Sequence, residues 1–99
     1  MKDLFDKFDK AIREAIRESY AIGYPPTRIE QMITQSHPVA VAKKLVTSSK
    51  FQTGFQAVIN MGRGDITFEA IMLKDEFKTL FTKEELEAAK WRLQMSKNV

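Results

Sequence analysis

The amino-acid sequence predicts an all-α fold, a compact single-domain bundle of five to six short helices. Three observations carry this reading. Helix-start signals recur along the chain, apolar residues repeat at helical spacing, and the stretches that could pass for strands lack hairpin turn chemistry. Thr27-Arg28-Ile29-Glu30 and Thr82-Lys83-Glu84-Glu85 both read as capping boxes. In such a box the threonine hydroxyl accepts from a first-turn amide while the glutamate three residues on reaches back. Ser36-His37-Pro38 is a third start, with proline where its missing N–H costs nothing. Val39-Ala40-Val41 and Phe68-Glu69-Ala70-Ile71 resemble short strands, but both come after helix-start signals.

The elements are taken in chain order. Helix 1 is expected from Asp3, as N-cap, to Ile22, with Leu4, Phe5, Phe8, Ile12, Ala15, Ile16 and Tyr20 as one apolar stripe. Asp6 with Lys10 and Asp9 with Arg13 stand at i,i+4 on its solvated face. Gly23 stops it by accepting the left-handed conformation. Tyr24-Pro25-Pro26 is a rigid connector. Helix 2 covers Arg28 to about Gln35, with Ile29, Met32 and Ile33 inward. Helix 3 runs from Pro38 to about Thr47 with Val41, Ala42, Leu45 and Val46 buried and Lys43 and Lys44 in water. Helix 4 spans about Thr53 to Met61. Gly62-Arg63-Gly64-Asp65 is the sharpest break, and Asp65 or Thr67 caps the next helix. That helix 5 covers about Thr67 to Leu73, and Asp75 to Phe81 forms a shorter helical turn. Thr82 opens the last helix, which runs to about Met95 with Leu86, Ala89 and Leu93 inward and Trp91 flanking. The domain thus divides into a long amphipathic helix (1–22), a compact helical core (23–95) and a frayed tail (96–99).

Composition narrows the chemistry. Ninety-nine residues make one domain with a modest core. With no cysteine there are no disulfides, thiolate metal sites or cysteine nucleophiles. The charged start, Met1-Lys2-Asp3-Leu4, is unlike a signal peptide. No apolar run approaches the roughly 20 residues that span a bilayer. The expectation is a soluble, cytoplasmic protein with no membrane partner.

The net charge of +3 is unevenly placed. Residues 31–64 carry Lys43, Lys44, Lys50 and Arg63 and no acid, while the flanking thirds are balanced. That segment is either an anion-facing surface or four scattered, solvated cations.

Enzyme chemistry finds little support. His37, the sole histidine, has no carboxylate within a helical turn and reads as a cap beside Pro38. Ser48 and Ser49 lack a nucleophile elbow. Glu84, Glu85 and Glu87 stand in or near a first helical turn, where they serve the helix dipole. Gly62-Arg63-Gly64 lacks the strand, spacing and lysine of a phosphate cradle. No catalytic, cofactor-binding or metal-binding residue is assigned, no cofactor is expected, and the chain is read as not an enzyme.

The pattern from Gly23 to Leu93 resembles a family of small uncharacterised bacterial all-helical domains. The match rests on the opening Gly23-Tyr24-Pro25-Pro26-Thr27 with Met32, the helix Val39-Ala40-Val41-Ala42-Lys43-Lys44-Leu45, and Gly54-Phe55. It continues through Asp65-Ile66-Thr67-Phe68-Glu69-Ala70-Ile71-Met72-Leu73 and Leu80-Phe81-Thr82 with Glu85, Leu86, Ala89 and Leu93. The resemblance implies a stand-alone or appended domain, some members lying beside nuclease or defence genes, and supplies no catalytic residues. This chain departs from it at Ile66 and Asn60, where the family often has leucine and tryptophan nearby.

Together these features describe a small non-enzymatic helical module of bacterial, phage or mobile-element context that binds another macromolecule, with a protein as the leading partner. The alternative is an accessory domain that contacts nucleic acid through the basic 43–63 segment. Helix 2, a short turn and helix 3 have the lengths of a helix-turn-helix, although helix 3 offers alanine, valine and two lysines where base edges require Arg, Asn, Gln or Ser. The candidate contact residues are Arg63, Lys43, Lys44, Lys50 and Trp91. Arg63 leads them, as a guanidinium between two glycines that either meets a partner or folds back onto Asp65 or Glu69. A homodimer through helix 1 or the last helix is compatible with the sequence, which does not decide it.

Overall fold

A computed structural model describes residues 2–47 and 58–97. Its helices are α1 (Lys2–Ala21), α2 (Thr27–Gln35), α3 (Pro38–Val46), α4 (Phe68–Met72) and α5 (Lys83–Lys97). Single 3-10 turns at Gly64–Ile66 and Lys78–Leu80 flank α4. Residues 58–60 are also helical, and no strand occurs among the described residues. The rest of the expected fourth helix, from Thr53, lies outside them. The chain is all-α, as its periodicity predicts.

The core forms where α1, α3, α4 and α5 meet. Phe8 of α1 is its centre, fully buried and packed edge-on against Phe77 (ring centroids 5.2 Å apart, 88°) and Phe81 (5.5 Å). Such edge-to-face pairs add to the benefit of burying apolar area. Ile12, Val41, Ala42, Met72 and Ala89 close the remaining space. A radius of gyration of 12.5 Å matches the value of about 13 Å for one compact domain of 100 residues.

On α1 the buried seam is narrower than the predicted stripe. Phe8, Ile12, Ala15 and Ser19 are buried, whereas Phe5 and Tyr20 are exposed. These four positions are spaced four, three and four residues apart, which keeps one line of the helix against the bundle. Ser19 can be buried because its hydroxyl donates to the carbonyl of Tyr24. Phe5 instead lies against the His37 ring, with centroids 5.3 Å apart. Asp9 and Arg13 pair at 3.0 Å on the solvated face.

Helix boundaries are set by their caps. At the end of α1 the Gly23 amide donates to Tyr20 O (3.1 Å) and the Tyr24 amide to Ser19 O (2.9 Å), with Gly23 at φ +86°. This is a Schellman stop. The same motif recurs at Gly62, φ +78°, where the amides of Gly62 and Arg63 donate to Ile59 O and Val58 O, both at 3.0 Å. The Thr82 capping box forms in both directions: the Glu85 amide donates to Thr82 Oγ1 (3.1 Å) and the Thr82 amide to Glu85 Oε1 (2.8 Å). His37 caps α3 by accepting from the Val39 amide at 3.1 Å. Thr67 caps α4 by accepting from the Ala70 amide at 3.1 Å.

The Thr27 box does not form. α2 begins at Thr27 itself, with Pro26 at the cap position and no side-chain cap. The Glu30 amide donates to Pro26 O at 2.9 Å, so the proline carbonyl opens the helix one residue early. Glu30 is thereby free to accept from the Tyr20 hydroxyl, a bond that raises the Tyr20 phenol above its ordinary range. The start of α1 also differs: Asp3 lies inside the first turn. The segment expected to be helical from Asp75 to Phe81 contracts to the 3-10 turn at Lys78–Leu80. α5 continues to Lys97, two residues beyond its predicted end.

Candidate functional site

The described candidates fall into three environments, and two of the cations are not free. Lys43 is paired across two helices. Its ammonium sits 3.1 Å from Glu85 Oε1 of α5 and 5.8 Å from the centroid of the Phe81 ring. α3 packs on α5, so a lysine at its edge reaches across to the neighbouring helix while its side chain stays about 40% exposed. Glu85 thus serves both the cap and the ion pair. Partial burial raises its carboxyl, but the Thr82 amide and Lys43 outweigh that and hold it below the usual range.

Arg63 folds back. Its Nε lies 3.1 Å from Asp65 Oδ1 and its Nη2 3.0 Å from Glu18 Oε1 near the end of α1. A second bond from Nη2 reaches Asp65 Oδ2 at 3.3 Å, which completes a forked contact. The two glycines leave Arg63 reachable, but the carboxylates on either side claim it. Its guanidinium is raised above its ordinary value by Asp65 and then Glu18, and the Asp65 carboxyl is lowered by Arg63. Glu69, the other expected intramolecular partner, is engaged elsewhere.

Lys44 is exposed on α3, and Trp91 is half-exposed on the outward side of α5, between buried Ala89 and Arg92. Lys50 lies outside the described residues.

The Arg63–Glu18 pair brings two chain reversals to one end of the molecule. The turn at Gly62 is tied to the last turns of α1, and the turn at Gly23 comes directly after that helix. Tyr20, Tyr24 and Met61 are all exposed at this end. Beside them a cleft of about 350 Å³ is lined by Ile59, Gly62, Gly64, Asp65, Ala70 and Leu93. An ideal Cβ on Gly64 would stand 3.0 Å from Ile59 Cδ1, so glycine keeps the turn close to that wall.

One charged pair was missed at the level of sequence. Arg92 Nε lies 2.6 Å from Glu69 Oε2, with both side chains only 3% exposed. Glu69 stands in the first turn of α4, and this bond ties that helix to α5. A signal existed: Glu69 stands between buried Phe68 and Ile71, and Arg92 is three residues beyond Ala89 on the inner face. A charge of each sign on two apolar faces implies a pair. Among the described residues no group of three or more His, Asp or Glu is placed to hold a metal ion. No helix among them is long and apolar enough to cross a membrane. No family model, curated protein or solved structure matches the chain.

Proposed function

We propose that this chain is a small non-enzymatic helical module that binds another protein, through the end of the molecule where the Gly23 and Gly62 turns meet. The observation behind the reading is the set of side chains exposed there: Tyr20, Tyr24 and Met61, with Arg63 held in place by two carboxylates. Tyrosine and arginine are enriched among residues that dominate protein interfaces, and methionine adapts to irregular partners. Arg63 is already oriented by Asp65 and Glu18, which lowers the ordering cost of a further contact. The nucleic-acid alternative is weakened by the partners of Lys43 and Arg63, which neutralise two of the four cations of the basic segment.

The experiment compares the native chain with a Tyr24→Ala/Met61→Ala double variant in affinity capture after nuclease treatment, followed by titration of the captured protein. A partner that binds the native chain and loses at least tenfold affinity for the double variant, whose circular dichroism is unchanged, supports the reading. Binding of duplex or single-stranded DNA with a salt slope of about −0.9 per neutralised phosphate would favour the alternative.

A further inference from the structure

We propose that His37 makes the start of α3 acid-sensitive: protonation of its imidazole removes the side-chain cap and loosens the first turn of the helix. The corner is short. α2 ends at Gln35, the Ser36 amide donates back to Met32 O at 3.0 Å, and His37 is the next residue. His37 Nδ1 then accepts from the Val39 amide at 3.1 Å. That bond requires the neutral ring with its proton on Nε2. An imidazolium carries N–H on both nitrogens and accepts nothing. Protonation therefore orphans a first-turn amide and sets a positive charge at the positive end of a helix dipole. The strongest caps, Asn, Asp and Ser, do not lose their acceptor near neutral pH.

The ring is exposed to water, and no carboxylate among the described residues is bonded to it. The group packed on it from α1 is the Phe5 ring, which attracts a cation but offers the Val39 amide no acceptor. The nearby acids have other partners or none at the ring. Asp9 of α1 holds Arg13, and Glu30 of α2 accepts from Tyr20. Among the described residues no bond reaches His37 from Asp3, Asp6 or Arg28, and on α3 Lys43 is paired with Glu85 while Lys44 adds only further positive charge. Water and the Phe5 ring accommodate the imidazolium, but neither restores an acceptor to the Val39 amide. The loosening stays local because Val39, Val41, Ala42, Leu45 and Val46 anchor α3 in the core.

The test is amide exchange of Val39 in the isotope-labelled chain, corrected for intrinsic rates, at about pH 7.5 and about pH 5.5, the range in which histidine changes charge. The ring titration is monitored on its own carbon-bound protons. The native chain is expected to lose protection at Val39 by about five- to tenfold on acidification, the worth of a typical cap. His37→Asn keeps an acceptor that does not titrate, so its Val39 protection is expected to be high and equal at both pH values. His37→Ala is expected to be low at both. The proposal is overturned by native protection that stays constant while the ring titrates, by a ring that remains neutral throughout, or by an equal acid loss in His37→Asn. Should the alanine variant fail to fold, the native and asparagine chains decide the matter between them.

Discussion

Arg92 and Arg63 each grip a carboxylate carried by another part of the chain, yet one side chain is buried and the other about one-third exposed. Arg92 meets Glu69 at 2.6 Å with both side chains removed from water. Arg63 meets Asp65 and Glu18 at 3.1 and 3.0 Å with the two acids more than half exposed. Distance does not rank these pairs; solvent does. Desolvating two ions costs several kcal/mol each, so the buried pair is tolerated because each charge has the opposite one beside it. The exposed pair gives up little hydration and gains correspondingly little. The buried pair therefore fixes how α4 meets α5, and the exposed pair orients a surface turn.

The largest effect is expected from breaking the buried pair on one side. Arg92→Ala should destabilise by about 3–5 kcal/mol in urea denaturation, because the Glu69 carboxylate is left inside without its ion-pair partner, and Glu69→Ala should destabilise as well. Replacing both, as Glu69→Met with Arg92→Leu, should recover most of that loss. Single variants that lose less than about 1 kcal/mol would show that water reaches the site, and the comparison would collapse.

Ile12→Ala asks whether apolar packing rivals that charge. Ile12 is essentially fully buried on α1, and its truncation should cost about 2–5 kcal/mol. A cost under about 0.5 kcal/mol would make α1 peripheral.

The capping box at the start of α5 lies between the extremes. Thr82→Ala should cost roughly 0.5–2 kcal/mol by freeing a first-turn amide. The Glu85 carboxyl is held below its ordinary range, so its contribution is present above about pH 4.5 and lost as the pH falls through its lowered value. Acid unfolding monitored by circular dichroism should accordingly be shallower in Glu85→Gln. An identical acid limb in both chains would detach Glu85 from the cap.

The smallest effect belongs to Arg63→Ala. Its melting temperature should fall by less than that of Thr82→Ala, and the difference from the native chain should shrink further in about 0.5 M salt, which screens exposed charges. A drop larger than that of Thr82→Ala would place the Gly62 turn among the supports of the fold.

Much of the architecture was legible in residue order. Helical periodicity, the Thr82 box, the His37 and Thr67 caps and the stops at Gly23 and Gly62 are local devices, each completed within about five residues. The box at Thr27 has the same residue pattern but fails, because the Pro26 carbonyl supplies the first helical bond and Tyr20, from another helix, takes Glu30. The candidate site was legible only in part. Arg63 was found by its flanking glycines, and its pairing with Asp65 stood among the alternatives. Its bond to Glu18, 45 positions away, could not be read from spacing.

Sequence by itself determined that this chain is helical, where most of its helices stop and start, and that its positive excess lies in the middle third. Only the tertiary structure decided which charges that excess leaves available. Lys43 is bound by Glu85 and Arg63 by Glu18 because helix packing brought those carboxylates within reach. It also decided that Glu69 and Arg92 would be buried together. Local hydrogen bonds are encoded by neighbours in sequence, whereas a charge acquires its partner and its dielectric surroundings from whatever the fold sets beside it.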